Sequence, residues 1–92
     1  MDRAAFEAGL KADGYQEVVE RSMEAGVTTP DHTHPFDARL LILDGELVLG
    51  MDGASRRFGP GDSCEVPANV RHAESFGPQG ATYVAGRRRL QA

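Results

Sequence analysis

One cysteine, Cys64, and no tryptophan occur among the 92 residues of this chain. A lone thiol cannot close an internal disulfide, so the fold must hold without covalent cross-links, which suits a reducing, cytoplasmic compartment. Basic residues are also short, with 10 Lys and Arg against 14 Asp and Glu and a net charge of −4. That balance excludes a scaffold held to nucleic acid by general charge. The cluster Arg87-Arg88-Arg89 is therefore read as a solvated or acid-paired tail. No apolar run approaches the roughly 20 residues that a bilayer-crossing helix needs. The N-terminus lacks the basic stretch and apolar centre of a secretory signal, so neither membrane contact nor export is expected. No glycine cluster matches a phosphate-cradling fingerprint.

Punctuation is what the chain has in excess. Gly (11) and Pro (5) together exceed average usage, roughly 12%. With 40% apolar and 26% charged residues, the composition is that of a folded domain rich in turns. The first dozen residues predict a helix, with Asp2 as N-cap, Phe6 and Leu10 on one face, and Gly14 ending it in a left-handed conformation. Val18-Val19 and Val27 to Pro30 suit strands. Leu40 to Leu43 and Glu46 to Leu49 read as two strands joined by a tight Asp44-Gly45 turn, with Asp52-Gly53 as the next turn. Arg56 to Phe58, Ser63 to Val66, Arg71 to Phe76 and Ala81 to Ala85 follow. Gly59-Pro60-Gly61-Asp62, Pro67 and the loop Gly77-Pro78-Gln79-Gly80 separate them. About eight short strands predict an all-β sandwich or barrel with its edges closed or covered.

The chemistry is concentrated in three histidines. His32 and His34 stand two apart in a predicted strand, so both side chains leave one face. His72 lies far along the chain, in another predicted strand after a proline. Zinc, iron, nickel, copper and manganese all accept imidazole nitrogen. A His-x-His pair with a distant third histidine offers three convergent ligands and leaves positions for water or substrate. The competing reading is a wet, metal-free cavity lined by the same rings.

From Gly26 to Phe76 the sequence resembles the two-motif signature of the cupin superfamily. The family's first motif runs Gly, five residues, His-x-His, three or four residues, Glu, six residues, Gly; here Gly26, His32-Thr33-His34 and Gly45 take those places. The second runs Gly, five residues, Pro-x-Gly, two residues, His, three residues, Asn; here Gly61, Pro67-Ala68-Asn69 and His72 match it. The resemblance implies an all-β fold, a small antiparallel β-barrel of jelly-roll type, which joins the short N-terminal helix read from the sequence. It implies one cupin domain over 1–92, with a helix and strand over 1–20 and the barrel core over 26–76. It further implies that His32, His34 and His72 meet inside the barrel as metal ligands. All three of the chain's histidines fall on signature positions, which a packing role does not explain.

Three positions depart from the pattern. Ala38, or Arg39 in the longer spacing, stands where the family has its glutamate ligand; Asn69 replaces the glycine and Phe76 the asparagine. Two acids offer a substitute. Asp37 precedes the vacant position, and a turn at Pro35-Phe36 could redirect it inward. Glu74 lies two residues after His72, on the same inner face by strand alternation. Either serves as ligand, as acid or base, or as an outer partner fixing an imidazole tautomer; the alternatives are a solvated turn for Asp37 and a surface charge for Glu74. Three neutral imidazoles without a carboxylate would leave an ion its full charge and favour an anionic oxygen ligand. Cys64 is read as a small buried apolar residue.

The expected protein is a small cytoplasmic metal-binding cupin holding a divalent ion (Fe, Zn, Ni, Cu or Mn). It would act on a small oxygen-rich molecule as an oxygenase or isomerase; the family resemblance implies dioxygenase chemistry among three-histidine sites. The alternative is a non-catalytic module that senses or stores a small molecule or metal. A small-molecule ligand, no nucleic acid, no membrane and a homodimer are the expected partners, with residues 1–20 packing on a second copy or capping the barrel.

Overall fold

A computed structural model describes residues 1–89, and two long strands organise it; the last three residues of the expected 1–92 domain lie outside the described residues. β3 (Phe36–Met51) and β6 (His72–Arg89) pair antiparallel from Phe36↔Arg89 to Met51↔His72. On the other side of β6, β1 (Glu17–Met23) pairs with its C-terminal half and β2 (Thr28–His32) with its N-terminal half. On the other side of β3, β5 (Ser63–Val66) pairs with its N-terminal half and β4 (Ala54–Phe58) with its C-terminal half. Two layers result, β1-β6-β3-β5 and β2-β6-β3-β4, sharing the long strands. This is the expected all-β jelly roll with one short N-terminal helix.

The layers join at an irregularity that differs from the sequence expectation. Asp44-Gly45 is not a hairpin turn, because β3 runs through it. A tight two-residue turn of type I′ needs positive φ at both central residues; here only Gly45 has it, at +80°. At Asp52-Gly53 both residues do, with φ of 56° and 75°, and there the chain does turn back into β4. The segment 77–80 is likewise no break, but an excursion within β6. Gly45 pairs with Ala81 and Leu47 with Phe76, so Glu46 alone faces residues 77–80. Gly45 and Gly80 permit that crossing: a Cβ on Gly45 would collide with the Gly80 carbonyl oxygen, and one on Gly80 with the carbonyl oxygen of Met23. Bulges of this kind bend a strand and increase its twist.

Alternation then sorts the side chains. Ala38, Leu40, Ile42, Leu47, Leu49, Phe76 and Tyr83 fill the space between the layers. Leu41 and Val84 point outward, where Phe6, Leu10 and Tyr15 cover them. α1 (Arg3–Ala12) supplies that cover, and the Asp2 side chain caps it by accepting from the Ala5 amide at 2.8 Å. Arg39 and Arg88 lie over the Tyr15 ring at 4.7 and 4.8 Å, fixing the segment that follows the helix. The N-terminal segment therefore caps its own barrel. No helix among the described residues is long and apolar enough to cross a membrane.

Candidate metal centre

A bulge aims the first histidine. β2 and β6 keep register at Thr28↔Ser75 and Thr29↔Glu74, then slip so that His32 pairs with His72. In an unbroken strand Thr29 and His32, three apart, would face opposite sides. The extra residue at Pro30-Asp31 turns both toward one cavity. His34 differs from expectation, since it lies beyond the strand rather than in it. Its place is set by the Asn69 amide, which donates to its carbonyl at 2.8 Å, and by its ring, which stacks parallel on Phe36 at 4.1 Å. His72 opens β6 and is almost completely buried, at 2% exposure.

The three rings gather closely. Their centroids lie 4.2 Å apart for His32 and His72, 4.8 Å for His34 and His72, and 6.1 Å for His32 and His34. Each ring's Nδ1 donates to a nearby carbonyl: His32 to Pro30 at 2.8 Å, His34 to Phe36 at 2.9 Å, and His72 to Val70 at 2.9 Å. A carbonyl oxygen only accepts, so the neutral rings carry their protons on Nδ1 and present Nε2 lone pairs. Burial lowers the His34 pKa below its ordinary 6.5; the Phe36 carbonyl opposes the shift and the neighbouring rings reinforce it. His34 is thus held in the form that binds metal.

The acid nearest these lone pairs is Glu74. Its Oε1 lies 3.6 Å from Nε2 of His72 and 3.8 Å from Nε2 of His32. The ligand atoms of His32, His72 and Glu74 all fall within 4.8 Å of one another. Ligand atoms set tetrahedrally around an ion at roughly 2.1 Å are about 3.4 Å apart. The cluster can therefore hold a metal ion with small adjustment, and His34 stands at its edge. Ala38, at the position of the family's glutamate, only lines the cavity wall.

Asp37 is used elsewhere. One carboxylate oxygen accepts from the Ala68 amide at 2.8 Å, the other from Arg88 Nη2 and Nε at 2.8 and 3.1 Å. The turn it grips, residues 67–70, holds the His34 carbonyl through Asn69 and the His72 ring through Val70. Asn69 adopts φ 63°, the conformation for which the family uses glycine. Asp37 is thus a positioning residue. The Ala68 amide, then Arg88, hold its carboxyl below the ordinary 3.8. Stability from this group is present above that ordinary value and is lost as pH falls through the lowered one. Asp37→Asn should cost about 1–2 kcal/mol at pH 7, a deficit that shrinks on acidification below 3.8. It should also weaken metal binding by about 10-fold, as outer partners of ligating histidines do. Urea titrations across pH and metal titrations check both; unchanged metal affinity would contradict the positioning role.

His32, His34 and Glu74 line a cavity of about 190 Å³, walled by Ala38, Leu40, Ala85 and Tyr83 and reached by Arg21 and Arg87. Tyr83 is buried, and burial, followed by the charge of Glu74, raises its pKa. Its phenol therefore keeps its proton at neutral pH. Cys64 faces a separate cavity of about 550 Å³ beside Leu49, Met51 and Phe58. Burial, then Glu74, pushes its thiol up to about 12, so it remains protonated, consistent with an apolar role. Tyr83, Arg21 and Arg87 escaped the sequence reading. The signal was the alternation Ala81, Tyr83, Ala85, Arg87, hidden by reading the last strand as ending at Ala85.

Comparison with known proteins agrees with this fold. A family model described as a cupin domain matches residues 19–76. Similar solved structures include an RmlC-like cupin from Shewanella frigidimarina, with TM-score 0.70 and 23% identity over 80% of this chain and 66% of that one. KdgF from Halomonas sp. aligns with TM-score 0.67 and 21% identity, covering 80% of this chain and 69% of that one. A cupin superfamily protein from Desulfitobacterium hafniense gives 0.69 and 22%, covering 82% and 80%. At these identities the likeness is one of fold, and the chain spans just under two thirds of the Shewanella protein. Among curated proteins none matches the chain.

Proposed function

Because this chain belongs to the cupin family, we propose that it binds one divalent metal ion and uses it on a small oxygen-rich molecule. The ligands in this reading are Nε2 of His32, His34 and His72, with the Glu74 carboxylate in place of the glutamate that Ala38 lacks. One observation carries it: Nε2 of His32 and Nε2 of His72, each freed because its ring's Nδ1 donates to a carbonyl, lie 3.8 and 3.6 Å from the same Glu74 oxygen, with the His34 ring 4.8 Å from that of His72. That donor set suits any of Fe, Zn, Ni, Cu or Mn. With Glu74 included, a divalent ion would keep one net positive charge, less than a purely imidazole site would leave it.

A bound ion would supply Lewis acidity at an open coordination position. The chain's own groups do the rest. Tyr83 holds a proton that it can donate to a substrate oxygen as negative charge develops there. Ala38, Leu40 and Ala85 restrict the space to a small ligand and keep one side of it apolar. Isomerase-type proton transfer would pair this donor with a base for the α-proton, a role open to the Glu74 carboxylate that lines the same cavity. The second reading is a non-catalytic module that holds a small molecule, or the metal itself, at the same cavity of about 190 Å³ without turning it over. A cytoplasmic homodimer without nucleic-acid or membrane partners completes the proposal.

The test follows solvent deuterium entering the α-carbon of a panel of small dicarbonyls and hydroxy-ketones, with oxygen uptake measured in parallel. We expect metal-dependent exchange, reduced about 10²-fold or more in Tyr83→Phe with metal affinity unchanged. Oxygen uptake instead would move the reading to an oxygenase, and tight ligand binding without either reaction would favour the sensing module.

A further inference from the structure

We infer that the ligand of this site carries a carboxylate, and that Arg21 receives it at the cavity mouth; the inference rests on the metal-site reading above. Arg21 sits in the middle of β1, in register with Tyr83. Alternation places it on the same face as Val19 and Met23, which pack on the core between the layers. Arg21 lines the cavity of His32, His34 and Glu74 and is itself exposed, so its side chain spans from the cavity to solvent.

Its lack of a carboxylate partner among the described residues is the second observation. Among the described residues every arginine other than Arg21 and Arg56 has a carboxylate oxygen within 4.0 Å, and Arg56 lies over the Phe58 ring at 5.3 Å. Arg87, the other arginine at the cavity, is partly neutralised by Glu17 at 3.9 Å and lies over Phe36 at 5.1 Å. The cavity is therefore polarised, with lone-pair donors and Glu74 at one end and an unneutralised guanidinium at the other. Tyr83, the register partner of Arg21, lines the same cavity. A guanidinium fork matches a carboxylate through two parallel hydrogen bonds. The complementary ligand is a small acid whose oxygens would reach an ion held by the imidazoles while a carboxylate stays beside Arg21.

The experiment uses full-length protein loaded with Co²⁺, whose visible spectrum reports ligand entry. Oxaloacetate and 2-oxoglutarate are titrated beside 2-oxobutyrate and 2-oxovalerate, which share the oxo-acid end but lack the second carboxylate. At least one dicarboxylate should bind about 10-fold or more tighter than its apolar counterpart. Arg21→Gln should erase that preference while leaving Co²⁺ affinity and binding of the apolar acids unchanged, and Arg21→Lys should keep part of it. Because Arg21 is exposed, thermal midpoints of both variants should match the parent. A preference that is absent in the parent, or that survives Arg21→Gln, overturns the inference alone. A parent that takes up no Co²⁺ overturns the metal reading and the inference with it.

Discussion

His72→Ala should abolish metal uptake and destabilise the fold in one step. The ring is 2% exposed, touches both other histidines and donates to the Val70 carbonyl. Its removal takes away a ligand and leaves a hole at the start of β6. We expect about one equivalent of bound ion in the parent to fall to near zero, a loss beyond the roughly 10–100-fold that outer partners contribute. The unfolding free energy should drop by about 2–4 kcal/mol, as for other large buried truncations. His32→Ala separates the two effects. Its side chain is 37% exposed, so it should lose metal at a stability cost of about 1 kcal/mol or less. Elemental analysis and urea midpoints of both variants check this, and full metal occupancy in His72→Ala would contradict it.

Gly45→Ala should be the most damaging single methyl in the chain. At φ +80° any Cβ costs about 1–2 kcal/mol, and here it also meets the Gly80 carbonyl oxygen, which cannot move without parting β3 from β6. The combined loss should exceed about 4 kcal/mol, enough to unfold much of a domain this small. Gly53→Ala is the matched control, because Gly53 has φ 75° but nothing within 4 Å of its would-be Cβ. It should cost only the conformational part. Thermal unfolding followed by circular dichroism distinguishes them; equal midpoints would mean that the Gly45–Gly80 crossing does not hold the layers together.

The same pair of glycines shows where local reading stops. Asp44-Gly45 and Asp52-Gly53 are identical dipeptides, each following an apolar run, yet only the second turns the chain. The difference comes from residues 77–80, far along the chain, which bulge opposite Glu46 and let β3 continue. Local signals were sufficient for α1, the Asp2 cap and the strand segments, because capping, alternation and turn chemistry act over a few residues. His32, His34 and His72 stood out by spacing and family pattern. Asp37 shows the opposite case: its use is decided by Arg88, 51 residues away, and by the Ala68 amide, neither visible in its own neighbourhood. The bulge that brings Thr29 and His32 onto one face depends on β6 as partner, so alternation alone misplaces it.

X-ray absorption at the metal edge of the loaded protein reads the coordination shell itself. One ion per chain is expected, with nitrogen and oxygen neighbours at about 2.0–2.2 Å. The imidazole scattering should come from three rings and fall by one third in His34→Ala. A shell of water oxygens alone, or a spectrum that His34→Ala and His72→Ala leave unchanged, would contradict it.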